Sequence, residues 1–299
     1  MERNWTHLIR FIAEEDNQVH LGQIDPSIDI GLDIKAGKLV KANLVIGSAF
    51  DGKVSNKILT VKQLLCPLAQ HEIPIVRCLG LNYRNHAAEA NIPVPNEPIL
   101  FIKPRTSISS PYPATINVPL IAQDGTSDYE AELAFVISKD GRDISEENAQ
   151  EYVLGYTCSN DISCRSQQFK NSQWSFSKGF DGSAPIGPVL VRPNVIGDPP
   201  ILDIQGIHNG TIVQSSNTRE LIFGINKTIS FLSQGTTLER GTVVMTGTGP
   251  GIGGLRSPKI VLQHGDDMRV HIEKIGTLIN KVYYEESSYL HRRVTNRVL

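Results

Sequence analysis

The sequence predicts a protein made mostly of β-strands with some helix, an α+β fold class, and two observations point to it. Short segments rich in Val, Ile, Phe and Tyr recur along the chain, and turn residues such as Gly, Asn, Asp and Pro separate them. Helical spacing of apolar residues is confined to a few places, the clearest of which is 218–233. With 299 residues, of which 40% are hydrophobic, the chain suffices for one large domain or for a large and a small one.

Residues 1–72 are predicted to form a small N-terminal domain of β or mixed structure. Segments 8–12 and 19–22 have the composition of strands, and the turn at 15–17 between them is typical of a hairpin. The mixture of apolar and polar residues at 61–68 indicates a short helix. This part of the chain contains no convergent set of polar side chains suited to chemistry.

Residues 73–299 are predicted to form a larger domain. Its predicted strands are 75–80, 99–102, 128–137, 186–191, 201–207, 211–213, 242–246, 268–272 and 277–283, together with one that begins at Tyr156. A helix is also predicted at 143–154, where acidic residues suit the N-terminal end and Gly155 would end it. Asn209-Gly210 predicts a tight hairpin turn, and 285–299 is expected to be a flexible tail.

The strand predicted at 128–137 carries two glutamates near its start, Glu130 and Glu132. Side chains two residues apart on a strand lie on the same face, so both carboxylates are expected to project together. Two adjacent like charges cost free energy unless a cation lies between them, and carboxylate oxygens suit a hard divalent metal. A solvated strand face, or the frayed end of a strand, is the alternative, and this segment alone does not decide between them.

A second polar motif lies in 81–90, which follows a predicted buried strand and is read as a short helix. On a helix His86 and Glu89 are three residues apart and therefore face the same side. A carboxylate beside an imidazole fixes its tautomer and raises its basicity, which prepares a general base. The alternative is an exposed helix with a chance ion pair.

Other polar residues lie close to predicted strand ends or in loops. Asp161 stands near the end of the strand that begins at Tyr156. Lys178 lies among aromatic and glycine residues, where it would need an anionic partner, unless it extends past them into solvent. The glycine-rich loop 246–254 offers backbone N–H groups and the Thr248 hydroxyl to a carboxylate or phosphate. It is not a dinucleotide-binding motif, because no amphipathic helix follows it.

These residues form a chemically consistent set. Glu130, Glu132 and Asp161 supply three carboxylates, with no His or Cys at matching positions. Oxygen ligands favour Mg2+ or Mn2+, with Ca2+ possible and Zn2+ less suitable. Arg165 and Lys178 would offset the remaining negative charge and leave room for an anionic substrate.

The overall composition excludes several classes of partner. A net charge of -2 and a pI of about 6.5 leave no surplus of positive charge to bind nucleic acid. No apolar segment is long enough for a membrane span, and no signal or transit peptide is evident, so a cytoplasmic location is expected. The cysteines have no metal-binding or redox spacing, so they are expected to pack as reduced thiols.

The chain resembles the fumarylacetoacetate hydrolase family, and the resemblance extends over about residues 76–283. The matching segments are GLNYRNHAAE (80–89), EPILFIKP (97–104), DYEAELAFVI (128–137), NDISCRSQQ (160–168), SKGFD (177–181), SNT (216–218), LIF (221–223) and TGTG (246–249). The chain departs from the family pattern at three places. It has Gly249 where a proline is usual, Ser166 where an aspartate is frequent, and Arg219-Glu220 where a small or acidic pair is common. These departures bear on the identity of the substrate.

The resemblance implies a mixed β-sandwich roll of the family's C-terminal-domain type around a metal site, and a homodimer. The implied metal ligands are Glu130, Glu132 and Asp161, the catalytic residues His86, Glu89 and Lys178, and the substrate-binding residues Arg165, Gln168, Lys178, Thr248 and Tyr83. The segment 85–98, which is polar and interrupted by prolines, is a candidate lid.

The implied function is divalent-metal-dependent hydrolysis or decarboxylation of a small, anionic 2-oxo or 1,3-dicarbonyl acid through a metal-stabilised enolate. An isomerase or tautomerase acting on a 2-oxo or hydroxymuconate-type acid is an alternative, because it passes through the same enolate. A non-catalytic protein on the same fold is a further alternative.

Overall fold

The computed structural model describes residues 3–286. Its strands are β1 (His7–Ala13), β2 (Val19–Gln23), β3 (Lys41–Ile46), β4 (Lys53–Leu65), β5 (Val76–Gly80), β6 (Ile99–Lys103), β7 (Ile108–Ser109), β8 (Thr115–Val118), β9 (Ser127–Asp128), β10 (Ala131–Ile137), β11 (Val153–Asn160), β12 (Ser163–Cys164), β13 (Ala184–Val191), β14 (Asp203–His208), β15 (Thr211–Asn217), β16 (Val243–Thr248), β17 (Asp267–Ile272) and β18 (Gly276–Tyr284). Its α-helices are α1 (Ile30–Lys35), α2 (Arg84–Glu89), α3 (Arg165–Gln168), α4 (Ser175–Lys178), α5 (Pro193–Ile196) and α6 (Ile225–Ser233). The predicted tail at 285–299 lies, apart from its first two residues, outside the described residues.

The largest sheet has eleven strands, ten of which follow the order β2-β3-β4-β1-β13-β11-β10-β16-β5-β6, while β7 pairs with β13. Because β1 also pairs with β2, the first four strands close into a small barrel. The barrel joins the rest of the sheet where His7 lies opposite Val191 and Leu8 opposite Leu190. The domain boundary between residues 72 and 73 stays a prediction, and this sheet continues across it.

A second sheet, in the order β15-β14-β17-β18-β8, packs against the large one through contacts of β14 and β17 with β10 and of β17 and β18 with β11. The large sheet contains two parallel pairs and the second sheet contains one, among antiparallel pairs. The predicted fold class, a mostly β mixed sandwich with some helix, is therefore confirmed.

Strand β10 lies at the centre of the sandwich and is buried along its whole length. Leu133, Phe135 and Ile137 pack in one hydrophobic core, whereas Ala134 and Val136 pack in the core on the opposite face. The alternation follows from the two-residue period of a strand. A strand covered on both faces holds its backbone rigidly, and the start of β10 is where the polar residues gather.

One helix prediction was wrong, and a second holds only in part. Residues 61–65 belong to strand β4, because this segment pairs with β1, and Val61 and Leu64 are buried. Residues 143–154 form a 3₁₀ helix only over Glu146–Tyr152, and strand β11 begins at Val153. Gly155 lies inside β11 and does not end a helix, and a Cβ there would lie 2.8 Å from the Val191 carbonyl oxygen of the neighbouring strand.

Two other predictions hold in part. The strand predicted at 128–137 is two strands, β9 and β10, with Glu130 in the connection between them. The helix predicted within 218–233 is a 3₁₀ turn followed by α6. The Asn209-Gly210 turn is confirmed between β14 and β15, and both residues have positive φ, 48° and 81°. Over residues 3–286, no helix has the length and apolar character needed to cross a bilayer.

Candidate active site

Three buried carboxylates meet where β10 begins and β11 ends. These two strands are antiparallel neighbours with Ala131 opposite Asn160, and the Asp161 N–H donates to the Glu130 carbonyl at 2.9 Å. This register brings Glu130, Glu132 and Asp161 together, with one ligand oxygen from each within 4.8 Å of the others. The three residues are 8%, 1% and 0% exposed. Such burial excludes both a solvated strand face and a frayed strand end.

Glu132 has no cationic partner among residues 3–286, and its carboxylate accepts a hydrogen bond from the Gly247 N–H at 2.8 Å. Burial, and then repulsion from Asp161 and Glu130, raises its pKa well above that of an ordinary glutamate. A divalent cation would remove this repulsion, and an all-oxygen ligand set suits a hard cation such as Mg2+ or Mn2+. The residues present therefore fit the predicted metal, and their assignment as its ligands is a prediction.

Two cationic side chains, Lys178 and Arg165, contact the carboxylate cluster. The Lys178 Nζ lies 2.9 Å from Glu130 Oε2 and 2.7 Å from Asp161 Oδ2. Burial opposes the charged form of Lys178, but the attraction of Asp161 and Glu130 outweighs it and raises the pKa. Arg165 donates to Glu130 Oε1 at 2.7 Å. Despite burial, Lys178 and Arg165 lower the pKa of Glu130 to about 2. Lys178 is 2% exposed, which excludes a lysine that extends into solvent.

The sequence reasoning missed two fully buried charged residues beside this cluster. Lys103, the last residue of β6, donates to Asp161 Oδ1 at 2.6 Å and to the Ser183 carbonyl at 2.7 Å. Asp128 accepts from Arg165 at 2.8 Å. Each residue is a charged residue beside apolar or acidic neighbours, within one of the segments that resemble the family. Its partner, however, lies tens of residues away in sequence.

The glycine-rich segment 246–254, which includes the end of β16, binds carboxylate side chains of the protein itself. The Gly247 N–H donates to Glu132, and the Gly251 N–H donates to Glu89 at 2.9 Å. Both oxygens of Asp128 are bonded, one by the N–H of Gly253 and the other by that of Gly254, each at 2.8 Å. These four N–H groups, which the sequence suggested for a ligand, instead fix the side chains around the site.

His86 and Glu89 lie together on α2, as the i,i+3 spacing predicted. The His86 Nδ1 is 3.0 Å from Glu89 Oε2, and the other Glu89 oxygen accepts the Gly251 N–H. His86 is 8% exposed, so the pair is not an exposed, chance contact. Because Glu89 is held by the loop, the imidazole has a fixed orientation, which a general base requires.

A cavity of about 310 Å³ opens between α2, α4 and the glycine-rich loop. His86, Glu130, Arg165, Gln168, Lys178 and Thr248 line it, so it brings together six of the predicted site residues. Ala90 and Ile92, from the candidate lid 85–98, also line it. Closure of that segment over the cavity stays a prediction.

Three of the predicted substrate-binding residues have other contacts. Gln168 accepts from Arg165 at 2.9 Å. The Thr248 hydroxyl donates to the Ala131 carbonyl at 3.0 Å and accepts from Gln214 at 2.7 Å. Tyr83 is 0% exposed and does not line the cavity. The structure thus places Tyr83 in the hydrophobic core, and its contact with a substrate stays a prediction.

The cysteines at 66, 78, 158 and 164 are buried and free. Burial raises the pKa of the Cys78 thiol well above its ordinary value, and Asp161 adds to this effect. A buried thiol of raised pKa is a poor nucleophile, which agrees with the prediction of a packing role.

The raised pKa of Glu132 predicts how metal-free protein responds to pH. An acid whose pKa is higher in the folded than in the unfolded state binds more protons when folded, so stability falls as pH rises above the unfolded value, here 4.5, toward the raised one. We expect Glu132→Gln, which removes this titration, to lose less stability than the wild type between about pH 5 and pH 7.5.

Thermal unfolding of both chelator-treated proteins at the two pH values measures this difference. The effect of Glu132 is limited to about 1.4 kcal/mol of unfolding free energy per pH unit. Parallel pH profiles in the two proteins would contradict the raised pKa.

Comparison with known proteins agrees with the resemblance found in the sequence. The family model described as fumarylacetoacetate (FAA) hydrolase C-terminal matches residues 75–283. A caffeoylpyruvate hydrolase of Neonothopanus nambi is 45% identical over 294 residues, 95% of this chain and 96% of the relative. The mitochondrial oxaloacetate tautomerase fahd2 of Xenopus laevis is 43% identical over 221 residues, 73% of this chain and 68% of the relative.

Among solved structures, the fumarylpyruvate hydrolase of Pseudomonas aeruginosa in complex with Mn2+ and pyruvate has a TM-score of 0.64 and 31% sequence identity. The match covers 75% of this chain and 93% of that one.

Proposed function

Because the chain belongs to the fumarylacetoacetate hydrolase family, we propose that it is a divalent-metal-dependent enzyme that hydrolyses a C–C bond of an acylpyruvate. One observation carries this proposal: a single cavity is lined by a member of the buried carboxylate cluster, by two cations and by an oriented His86. The relative that matches nearly the whole chain is named as a hydrolase of such a compound.

Glu130, Glu132 and Asp161 would hold the cation, for which Mg2+ or Mn2+ is the first choice and Ca2+ a weaker one. The Mn2+ in the related Pseudomonas structure supports this choice. When bound, the cation supplies a Lewis acid for the oxygens of the 2-oxo acid and offsets the negative charge that develops during cleavage.

The charges around the cluster suit a monoanionic substrate. Four carboxylates, with Asp128 included, face the three cations Lys103, Arg165 and Lys178. With all of them ionised and a divalent cation present, the cluster carries one net positive charge. The carboxylate of a 2-oxo acid would neutralise it, with Arg165, Gln168 and Lys178 as the side chains that bind and orient it.

His86 would act as the general base and then as the general acid. It takes a proton from water, whose oxygen bonds to the C4 carbonyl carbon, while Glu89 stabilises the imidazolium. The C3–C4 bond then breaks and its electron pair leaves with C3 as the enolate of pyruvate. Transfer of the imidazolium proton to C3 gives pyruvate and a carboxylic acid, so one water is consumed and His86 is regenerated.

Decarboxylation of an oxaloacetate-like acid and keto–enol tautomerisation need the same enolate, and the Xenopus relative is named for the latter reaction. Product analysis separates the three reactions. The metal-loaded protein is given an acylpyruvate and oxaloacetate, and pyruvate, the released acid, CO2 and the enol fraction are measured. We expect equal amounts of pyruvate and carboxylic acid from the acylpyruvate. Enol–keto exchange of oxaloacetate without C–C cleavage of either compound would establish the tautomerase instead.

We also propose that the chain forms a homodimer through strand β6. This strand ends the large sheet, and Ile99, Leu100 and Ile102 on it are 37%, 42% and 43% exposed. An exposed, apolar edge strand is unfavourable unless another chain covers it. Light scattering should give the mass of two chains, and Leu100→Lys with Ile102→Lys should shift it toward one chain. A monomeric wild type would contradict the proposal.

A further inference from the structure

The side chains that line the cavity divide into an ionisable set, called the charged end, and an apolar set, called the apolar end. The charged end comprises His86, Glu130, Arg165 and Lys178, and the other side chains that the structure places on the cavity wall carry no charge. The apolar end includes Leu79, Ile92, Ile99, Trp174, Ile252 and Leu255. An apolar wall favours an apolar ligand group because burial removes both surfaces from water.

The cations at the charged end are already paired. Arg165 is bonded to Asp128 and Glu130, and Lys178 to Glu130 and Asp161. The net positive charge of the metal-loaded cluster matches one substrate carboxylate. A second carboxylate, at the far end of a substrate, would lie against apolar side chains without gaining a cationic partner.

Trp174 and Phe169 are the aromatic residues of the cavity lining; Phe169 is 80% exposed, whereas the Trp174 ring is held on two sides. A Cβ on Gly80 would lie 2.2 Å from the Trp174 ring, so only glycine leaves room for it there. The Phe101 ring packs edge-on against the indole at 5.7 Å between centroids. The Lys178 N–H donates to the Trp174 carbonyl at 3.1 Å, so the indole lies one helical turn from the lysine that would bind the anionic end.

We propose that this apolar end binds the acyl group of the substrate and selects a flat, uncharged acyl group, such as an aryl group, over one that carries a second carboxylate. Trp174 is the specificity-determining residue, and Gly80 positions its ring. The inference rests on the proposed acylpyruvate hydrolysis, whose pyruvyl half occupies the charged end.

The test compares kcat/KM of the Mn2+-loaded protein for benzoylpyruvate, acetylpyruvate and fumarylpyruvate. We expect the wild type to prefer benzoylpyruvate over fumarylpyruvate by at least about thirtyfold. Fumarylpyruvate would place an unpaired carboxylate against apolar side chains and would lack the aromatic contact with Trp174. Trp174→Ala should lower the value for benzoylpyruvate about tenfold to a hundredfold and leave acetylpyruvate within about threefold.

Two variants sharpen this test. Gly80→Ala should cause the same selective loss for benzoylpyruvate, because its methyl group displaces the indole. Trp174→Phe should retain part of the kcat/KM for benzoylpyruvate that Trp174→Ala loses. Phe176→Ala is the matched control: Phe176 is an aromatic residue two positions after Trp174, is 63% exposed and lies outside the cavity lining, so its replacement should change none of the three values.

Equal losses for all three substrates in Trp174→Ala would overturn the inference, and so would a wild type that accepts fumarylpyruvate as well as benzoylpyruvate. Failure to hydrolyse any of the three would refute the proposed function instead. In that case, affinities of the metal-loaded protein for the same compounds, measured by calorimetry, still decide between an apolar and a dianionic preference.

Discussion

Replacing Glu132 by glutamine is expected to weaken divalent-cation binding at least about a hundredfold and to lower metal-dependent turnover at least about a thousandfold. Glu132 is the member of the carboxylate cluster that has no cationic partner in the described part of the chain, so its charge is the one most available to a metal. A Lewis acid supplies several kcal/mol of transition-state stabilisation, and each 1.4 kcal/mol is about tenfold in rate.

Glutamine is the informative substitution because the fold should tolerate it. Its amide oxygen still accepts the Gly247 N–H, and no buried cation loses a partner. Asp161→Ala and Glu130→Ala should also abolish turnover, but both disturb buried ion pairs. Asp161→Ala leaves Lys103 without its carboxylate, which costs about 3–5 kcal/mol of stability, and Glu130→Ala removes one of the two carboxylate partners of Lys178 and of Arg165. Glu151→Gln, at an exposed glutamate paired with Lys139, is the control. Calorimetric titration with Mn2+ measures the affinities, and an unchanged Kd in Glu132→Gln would remove Glu132 from the metal site.

Replacing His86 by alanine is expected to lower kcat about a hundredfold to ten-thousandfold, the usual contribution of a general base. Binding of oxalate, an inert analogue of the 2-oxo acid end, should change less than about threefold, because Arg165, Gln168 and Lys178 would bind it without help from His86. Glu89→Gln keeps an acceptor for His86 but removes the charge that supports the imidazolium. It should therefore cause a smaller loss of kcat.

The control for His86 is His20→Ala. His20 also pairs with a carboxylate, Asp16 at 2.8 Å, but it lies on β2 in the N-terminal barrel and should not affect turnover. Steady-state kinetics and oxalate calorimetry on the same preparations separate the two roles. If His86→Ala weakens oxalate binding as much as it slows turnover, His86 binds the substrate and does not transfer protons.

The features that local sequence patterns encode were predictable. The i,i+3 spacing of His86 and Glu89 fixes which helix face both side chains share, and the pair lies where that period places it. The carboxylates of Glu130 and Glu132 converge as their spacing predicted, although Glu130 lies in the connection before β10. Strands such as β10 can be predicted from a run of apolar residues between turns, because a strand that is buried on both faces accommodates few polar side chains.

The remaining features depend on contacts distant in sequence. Lys103 reads as the polar end of a strand, and only the fold shows that its partner Asp161 lies 58 residues away. The loop N–H groups looked free for a ligand because the sequence does not reveal that Asp128 and Glu89 occupy them. Residues 61–65 form a strand because pairing with β1 overrides a weak local preference.

The central claim is that one cation at the carboxylate cluster enables hydrolytic cleavage of an acylpyruvate. The most direct measurement titrates Mn2+ into metal-stripped protein in 18O-labelled water and follows pyruvate and the released acid from benzoylpyruvate. The account predicts that cleavage is lost in stripped protein, saturates at one ion per chain, and places one 18O atom in the benzoate carboxylate. Undiminished cleavage in the stripped protein, or benzoate without 18O, would contradict it.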